Sequence, residues 1–148
     1  MADSEEPKAI LLVDQNDEDV DLFCRAAQRS CEAEVRRVRS GQEARAYLFS
    51  GEGPLPQLII IELDLPSADA FALLRFVNDN PQLKPIPVVI LTGIYNEEQI
   101  QAARMMGAES VFLKPVELAA MEKLVYALCE VYLHFALPVH PRGETALA

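Results

Sequence analysis

Four short apolar runs in this sequence end on side chains that can do chemistry. Ala9 to Val13 ends on Asp14 and Gln15, and Leu58 to Ile61 ends on Glu62 with Asp64 two residues further on. Pro87 to Leu91 leads into Thr92 and Gly93, and Ser110 to Leu113 leads into Lys114 and Pro115. Carboxylates are the oxygen ligands a hard cation such as Mg takes, one or two at a time with water completing its shell. An ammonium among them can pair a carboxylate instead. Either chemistry requires that the four run ends meet at one place.

The elements that would bring them together alternate along the whole chain. Runs of strand length (Ala9 to Val13, Glu34 to Val38, Leu58 to Ile61, Pro87 to Leu91, Ser110 to Leu113) are separated by segments of helical spacing, giving a βα unit five times over. Three of the five runs are nearly continuous Ile, Val and Leu, as strands covered by helices on both faces must be. Asp17 to Arg29 places Val20, Phe23, Cys24 and Ala27 on one helical face, with charged residues opposite. Ser40 with Glu43 has the spacing of a capping box ahead of a helix over Gly41 to Phe49, and Asn96 with Gln99 repeats that signal. Gly107 fits a helix stop. Further helices are expected from about Asp69 to Asn78 and from Glu117 to about Phe135. The prediction is one α/β domain over 8–137, an open parallel sheet, with flexible termini at 1–7 and 138–148.

Such a sheet binds ligands outside the carboxyl ends of its strands, where the strand order reverses. That rule selects the same residues: Asp14, Glu62, Asp64, Thr92, Lys114 and Pro115. Simpler roles stay open for each. Glu62 can be the salt-bridge partner of Lys114 in an otherwise quiet polar pocket, and Asp14 can serve the N-terminus of the following helix as a fixed anion.

Size and charge bound the function. A chain of 148 residues can bury enough surface for a core without disulfides or a structural metal. Twenty-three acidic against 13 basic residues give a net charge of -10, which disfavours nucleic acid and anionic membranes as partners. Cys24, Cys31 and Cys129 are odd in number and lack metal-site spacing, so they read as small core hydrophobes in a reducing compartment. No signal-peptide pattern opens the sequence, and its longest apolar stretch, Leu124 to Val139, contains Glu130 and His134. A cytoplasmic protein is expected.

Taken in order, the motifs ILLVD (10–14), LIIIELDLP (58–66), PVVILT (87–92), Gly107-Ala108 and Phe112-Leu113-Lys114-Pro115 resemble the receiver domain of two-component response regulators. The resemblance covers Lys8 to about Phe135. Within that family the chain is similar to single-domain regulators that pair with phytochrome-type kinases. The resemblance implies a flavodoxin-like (βα)5 doubly wound fold, a five-stranded parallel sheet in the order 2-1-3-4-5. It also implies Thr92 as switch hydroxyl, Lys114 as the phosphate-pairing lysine, and a cis peptide before Pro115.

Two carboxylate positions depart from the family pattern. The phosphoryl-acceptor aspartate is replaced by Glu62, and the acidic pair after the first strand becomes Asp14-Gln15. Losing one charge and lengthening another ligand weakens a Mg site, for which Asp14 and Asp64 remain as candidate ligands, and a misplacement of about an ångström can cost ~100-fold in rate. No resident cofactor is expected beyond weak Mg. Glu62 could imitate an acyl phosphate in part, with one charge where a phosphoryl group carries nearly two. The aromatic switch position holds Val111, and the acceptor loop carries Ser67 and Ala70 where glycines are frequent.

The expected function is that of a pseudo-receiver, a phosphorylation-independent interaction module with no enzymatic activity. Its partners would be a histidine kinase, a phosphotransfer protein or an effector, met around the fourth helix, fifth strand and fifth helix. The alternative is a receiver still phosphorylated at low efficiency, on Asp64 or through a remodelled Mg site. A relic of the DxD phosphatase motif and a flavin site are disfavoured by Glu62 and by the acidic loop Gln15 to Asp19. In the last helix, Tyr126, Cys129, Leu133 and Leu137 add apolar surface beyond one core stripe, which points to a homodimer unless the chain's own tail covers them.

Overall fold

The computed structural model describes residues 8–50, 53–66 and 69–134. Strands and helices alternate as β1 (Ala9–Val13), α1 (Asp17–Ser30), β2 (Glu34–Val38), α2 (Gly41–Ser50), β3 (Leu58–Glu62), α3 (Asp69–Asp79), β4 (Val88–Thr92), α4 (Glu97–Met105), β5 (Ser110–Leu113) and α5 (Leu118–Cys129). A π-helical segment, Glu130–His134, continues α5. The five strands are parallel and ordered β2-β1-β3-β4-β5. This is the flavodoxin-like arrangement expected.

Strand alternation sorts the core into two layers. Leu11, Val13, Ile59, Ile61, Val88 and Ile90 face α2, α3 and α4, where they meet Ala44, Leu48, Leu73, Leu74 and Ala103. Ile10, Leu12, Leu58, Ile60, Val89 and Leu91 face α1 and α5, packing on Phe23, Ala26, Met121, Val125 and Leu128. With β1, β3 and β4 buried on both sides, continuous apolar runs are what the strands require.

The helix starts follow from their caps. Asn16 Oδ1 accepts from Asp19 N at 2.9 Å and Asn96 Oδ1 from Gln99 N at 3.0 Å. Ser40 Oγ accepts from Glu43 N at 3.1 Å, while the Glu43 carboxylate reaches back to Arg39 N rather than to Ser40. Gly107 takes φ +111 after α4, a conformation that favours glycine. β4 starts at Val88 rather than Pro87, since proline has no N–H for the ladder. No helix among the described residues is long and apolar enough to cross a membrane.

Three expectations need correction. Cys31 and Cys129 are joined in a disulfide, with Cα atoms 6.3 Å apart, because α1 and α5 pack side by side and bring together residues separated by 98 positions; Cys24 alone is a free cysteine among the described residues. The last helix leaves α geometry at Glu130 instead of running regularly onward. Its buried stripe is Met121, Val125, Leu128, Cys129 and Leu133, so Cys129 and Leu133, read as surplus outward surface, lie in the core at 1% and 2% exposure. Tyr126 does face outward. Leu137, Ser67, His140 and both termini beyond residues 8 and 134 fall outside the described residues.

Candidate functional site

The carboxyl edge of the sheet gathers an acidic cleft of about 310 Å³ lined by Asp14, Gln15, Asp19, Glu62, Asp64 and Lys114. Its first wall is the end of β1. Asp14 is buried, its Oδ1 accepting from Asn16 N at 2.9 Å, which ties the carboxylate to the N-terminus of α1. Arg37 Nε holds the Asp14 carbonyl at 2.9 Å. Arg37 and Arg39 converge on Asp17 at 2.8 and 2.9 Å, so the acidic loop is neutralised on its outer side. Those arginines hold the Asp17 carboxyl below its ordinary range.

Lys114 sits at the centre. Its backbone N–H donates to Thr92 O at 2.8 Å, one step past β5, so the side chain enters the cleft. The ammonium then meets three carboxylates: Asp19 at 2.7 Å, Asp14 at 3.1 Å, and Glu62 in direct contact. Burial pulls the Lys114 ammonium towards neutrality, but its hydrogen bonds to Asp19 and Glu62 and the charges of Glu62 and Asp14 outweigh it, so its pKa is raised. Burial pushes the Glu62 carboxyl above its ordinary value, opposed by Lys114 and by the Asp64 N–H, and reinforced by Asp14. Both shifts fit one positive charge shared among three negative ones. Glu62 uses both oxygens, since Oε2 accepts from Asp64 N at 2.8 Å.

Asp14, Asp19 and Glu62 also form a candidate divalent-cation site, because one oxygen of each lies within 4.8 Å of the others. An octahedral Mg shell with ligands at ~2.1 Å is about 4.2 Å across, so the three oxygens fit by distance and by chemistry. The ammonium is bonded to each of them. A cation must therefore displace Lys114 or share the carboxylates with it.

The residues singled out from the sequence do not all meet. Asp14, Glu62 and Lys114 converge, and Asp64 and Pro115 line the same cleft, Asp64 with its side chain exposed. Asp19, which the sequence alone places only in the acidic loop Gln15 to Asp19, joins them: in the first turn of α1 its carboxylate reaches Lys114 at 2.7 Å. Thr92 goes elsewhere. Glu62 is in register with Leu91, so the neighbouring Thr92 faces the opposite side of the sheet. Its Oγ1 donates to Ile94 O at 3.0 Å, and it lines a separate cavity of about 220 Å³ with Tyr95, Ile100, Arg104 and Val111. The Lys114–Pro115 peptide is trans, contrary to the implied cis bond. Lys114 reaches the cleft through its bond to the end of β4 instead.

Comparison with known proteins agrees with this architecture. Response regulator Rcp1 of a Synechocystis strain is 33% identical over 136 residues, which cover 88% of this chain and 92% of Rcp1. Among solved structures, the phosphorylated cyanobacterial phytochrome response regulator RcpA matches with a TM-score of 0.80 at 32% identity, over 89% of this chain and 98% of that one. The Mn-bound form of Rcp1 matches with a TM-score of 0.78 at 32% identity, over 90% of this chain and all of the other. The model of the response regulator receiver domain matches residues 10–126. With that match joined to the β2-β1-β3-β4-β5 sheet and its acidic carboxyl edge, the chain belongs to the receiver domain family of response regulators.

Proposed function

We propose that this receiver works as a phosphorylation-independent interaction module in cytoplasmic signal transduction, with Glu62 standing where the family's acceptor aspartate would be. The observation that carries the reading is the Lys114 ammonium engaged at once by Glu62, Asp14 and Asp19. A lysine meant to pair an incoming phosphoryl group is thereby already neutralised, and both oxygens of Glu62 are in use. The longer side chain also displaces the would-be nucleophile, a change that can cost ~100-fold in rate. A bound Mg or Mn would offset charge on a phosphoryl donor. The spacing of their oxygens supports Asp14, Asp19 and Glu62 as the residues that would hold it, and the similar Rcp1 has a Mn-bound form.

The module's partner is a histidine kinase, a phosphotransfer protein or an effector, and it has no turnover of its own. Ile94, Tyr95, Leu113 and Val116 leave apolar surface open beside α4 and β5, which supports that side as the contact. A symmetric pairing through α5 would use Tyr126 and Val131, both more than half exposed, now that Cys129 and Leu133 face inward.

The deciding experiment is intact mass after incubation with acetyl phosphate and Mg, run beside a Glu62→Asp, Gln15→Asp double variant. Phosphorylation of the variant alone supports the module. A phosphoryl group on the natural protein overturns it. The second reading, low-efficiency phosphorylation, is favoured by one fact: Asp64 presents an exposed carboxylate in the same cleft. A phosphoryl adduct mapped to Asp64 would establish that reading.

A further inference from the structure

α5 is tied to the end of α1 near its start, through Glu122, and at its far end through Cys129 and the segment that follows. Arg29 Nε pairs Glu122 Oε2 at 2.9 Å, and Ser30 Oγ donates to Glu122 O at 3.4 Å. Lys8 Nζ, just ahead of β1, donates to Leu133 O at 2.9 Å. The disulfide between Cys31 and Cys129 is the covalent tie among them.

The position of that bond in the chain matters more than its presence. Cys129 is the last residue of α5, and the helix widens to π geometry at the next residue. π turns are rare and seldom persist on their own, so the segment owes its place to what fastens it: the disulfide before it, buried Leu133 within it and the Lys8 bond at its end. Cys129 is 1% exposed whereas Cys31 is half-buried, so of the two cysteines Cys31 lies nearer to solvent.

We propose that Cys31–Cys129 is a thiol-reducible clasp, and that a dithiol reductant opens it to release the Cys129–His134 end of α5 from the α1–β2 corner. The first thiolate of the dithiol attacks Cys31 Sγ, forming a mixed disulfide while Cys129 leaves as a thiolate. The second thiol of the reductant then displaces Cys31. Two electrons pass to the pair, both cysteines take up protons to the extent that their pKa values dictate, and the reductant ends as its own disulfide. At the opposite end of the same helix pair, Asp19 of α1 holds Lys114, which precedes α5, and that bond does not depend on the sulfur chemistry. Loosening is therefore confined to the end beyond the disulfide.

The test is hydrogen–deuterium exchange on the full chain, kept free of reductant or treated with a dithiol, reading peptides over 126–134 against peptides in β3. Reduction should speed exchange over 129–134 by about tenfold or more and leave β3 unchanged. Cys31→Ser without reductant should match the reduced protein; if that variant does not fold, the two states of the natural chain still decide. Alkylation under denaturing conditions should label Cys24 alone before reduction and all three cysteines after it. Three labels before reduction, or identical exchange in the two states, would overturn the clasp.

Discussion

The Lys114 ammonium donates to the Glu62 carboxylate across the end of β4, the strand that separates theirs in the sheet. One side chain thus bridges the edge of three strands, and Asp14 and Asp19 extend the bridge to β1 and α1. Four expectations follow from this single cation among three carboxylates.

Removing the cation should unsettle the fold. Lys114→Met leaves Asp14 and Glu62 buried without their counter-charge, a change that costs roughly 3 kcal/mol in comparable buried pairs. Urea unfolding at neutral pH measures it. Because the folded-state pKa of Lys114 is raised, its contribution is fully present below the ordinary lysine value of 10.5 and fades as pH climbs beyond it. The gap between natural and variant protein should stay level from neutral to mildly alkaline solution. A loss below about 1 kcal/mol, typical of a surface pair, would contradict the buried arrangement.

Neutralising Glu62 should do the opposite. Its folded pKa is raised, so its favourable contribution is complete below the ordinary value of 4.5 and is lost as pH rises through the folded value. Glu62→Gln keeps an acceptor for Asp64 N and leaves Lys114 with Asp14 and Asp19. The variant should be at least as stable as the natural protein at pH 7, by up to about 1 kcal/mol, with the advantage gone near pH 4.5. Paired urea curves at the two pH values check the sign; a variant clearly weaker at pH 7 would reverse it.

Divalent ions compete with the ammonium for the same oxygens. Lys114→Met should bind Mn more tightly than the natural protein, and Asp14→Asn should bind it more weakly, in titrations followed by the electron-spin signal of free Mn. Equal affinity in all three proteins would show that the cation binds outside this cleft.

Thr92 should prove energetically separate from Lys114. Thr92→Val removes the hydroxyl bond to Ile94 O at a cost of about 1 kcal/mol. Although the two backbones are hydrogen-bonded, their side chains face opposite sides of the sheet and share no partner, so combined with Lys114→Met its effect should add to within about 0.5 kcal/mol. A larger coupling would place the Thr92 side chain in the lysine's cleft rather than on the other face of the sheet.

Much of this architecture was legible in the residues. Continuous runs such as Leu58 to Ile61 declared strands covered on both faces, and Asn16, Asn96 and Gly107 marked helix ends by side-chain or backbone chemistry that acts within a few positions. The convergence of Asp14, Glu62 and Lys114 followed from the end of the strand on which each stands. What could not be read was register. Whether Thr92 shares the face of Glu62 depends on which residue of β4 lies opposite, and Glu62 pairs with Leu91. Asp19 was hidden because its role depends on how the first turn of α1 folds over β1. Cys31 and Cys129 could be joined only once α1 and α5 were known to be neighbours.

The sheet order leaves β2 and β5 with one open ladder each, and both borders resist self-templated growth. β2 carries Glu34, Arg36 and Arg37 along its short length, charges that would have to be stripped of water before another strand could dock. β5 has four residues, too few for a lasting cross-chain ladder. With a net charge of -10 adding mutual repulsion between copies, aggregation through the sheet edges should begin only after the sheet has opened.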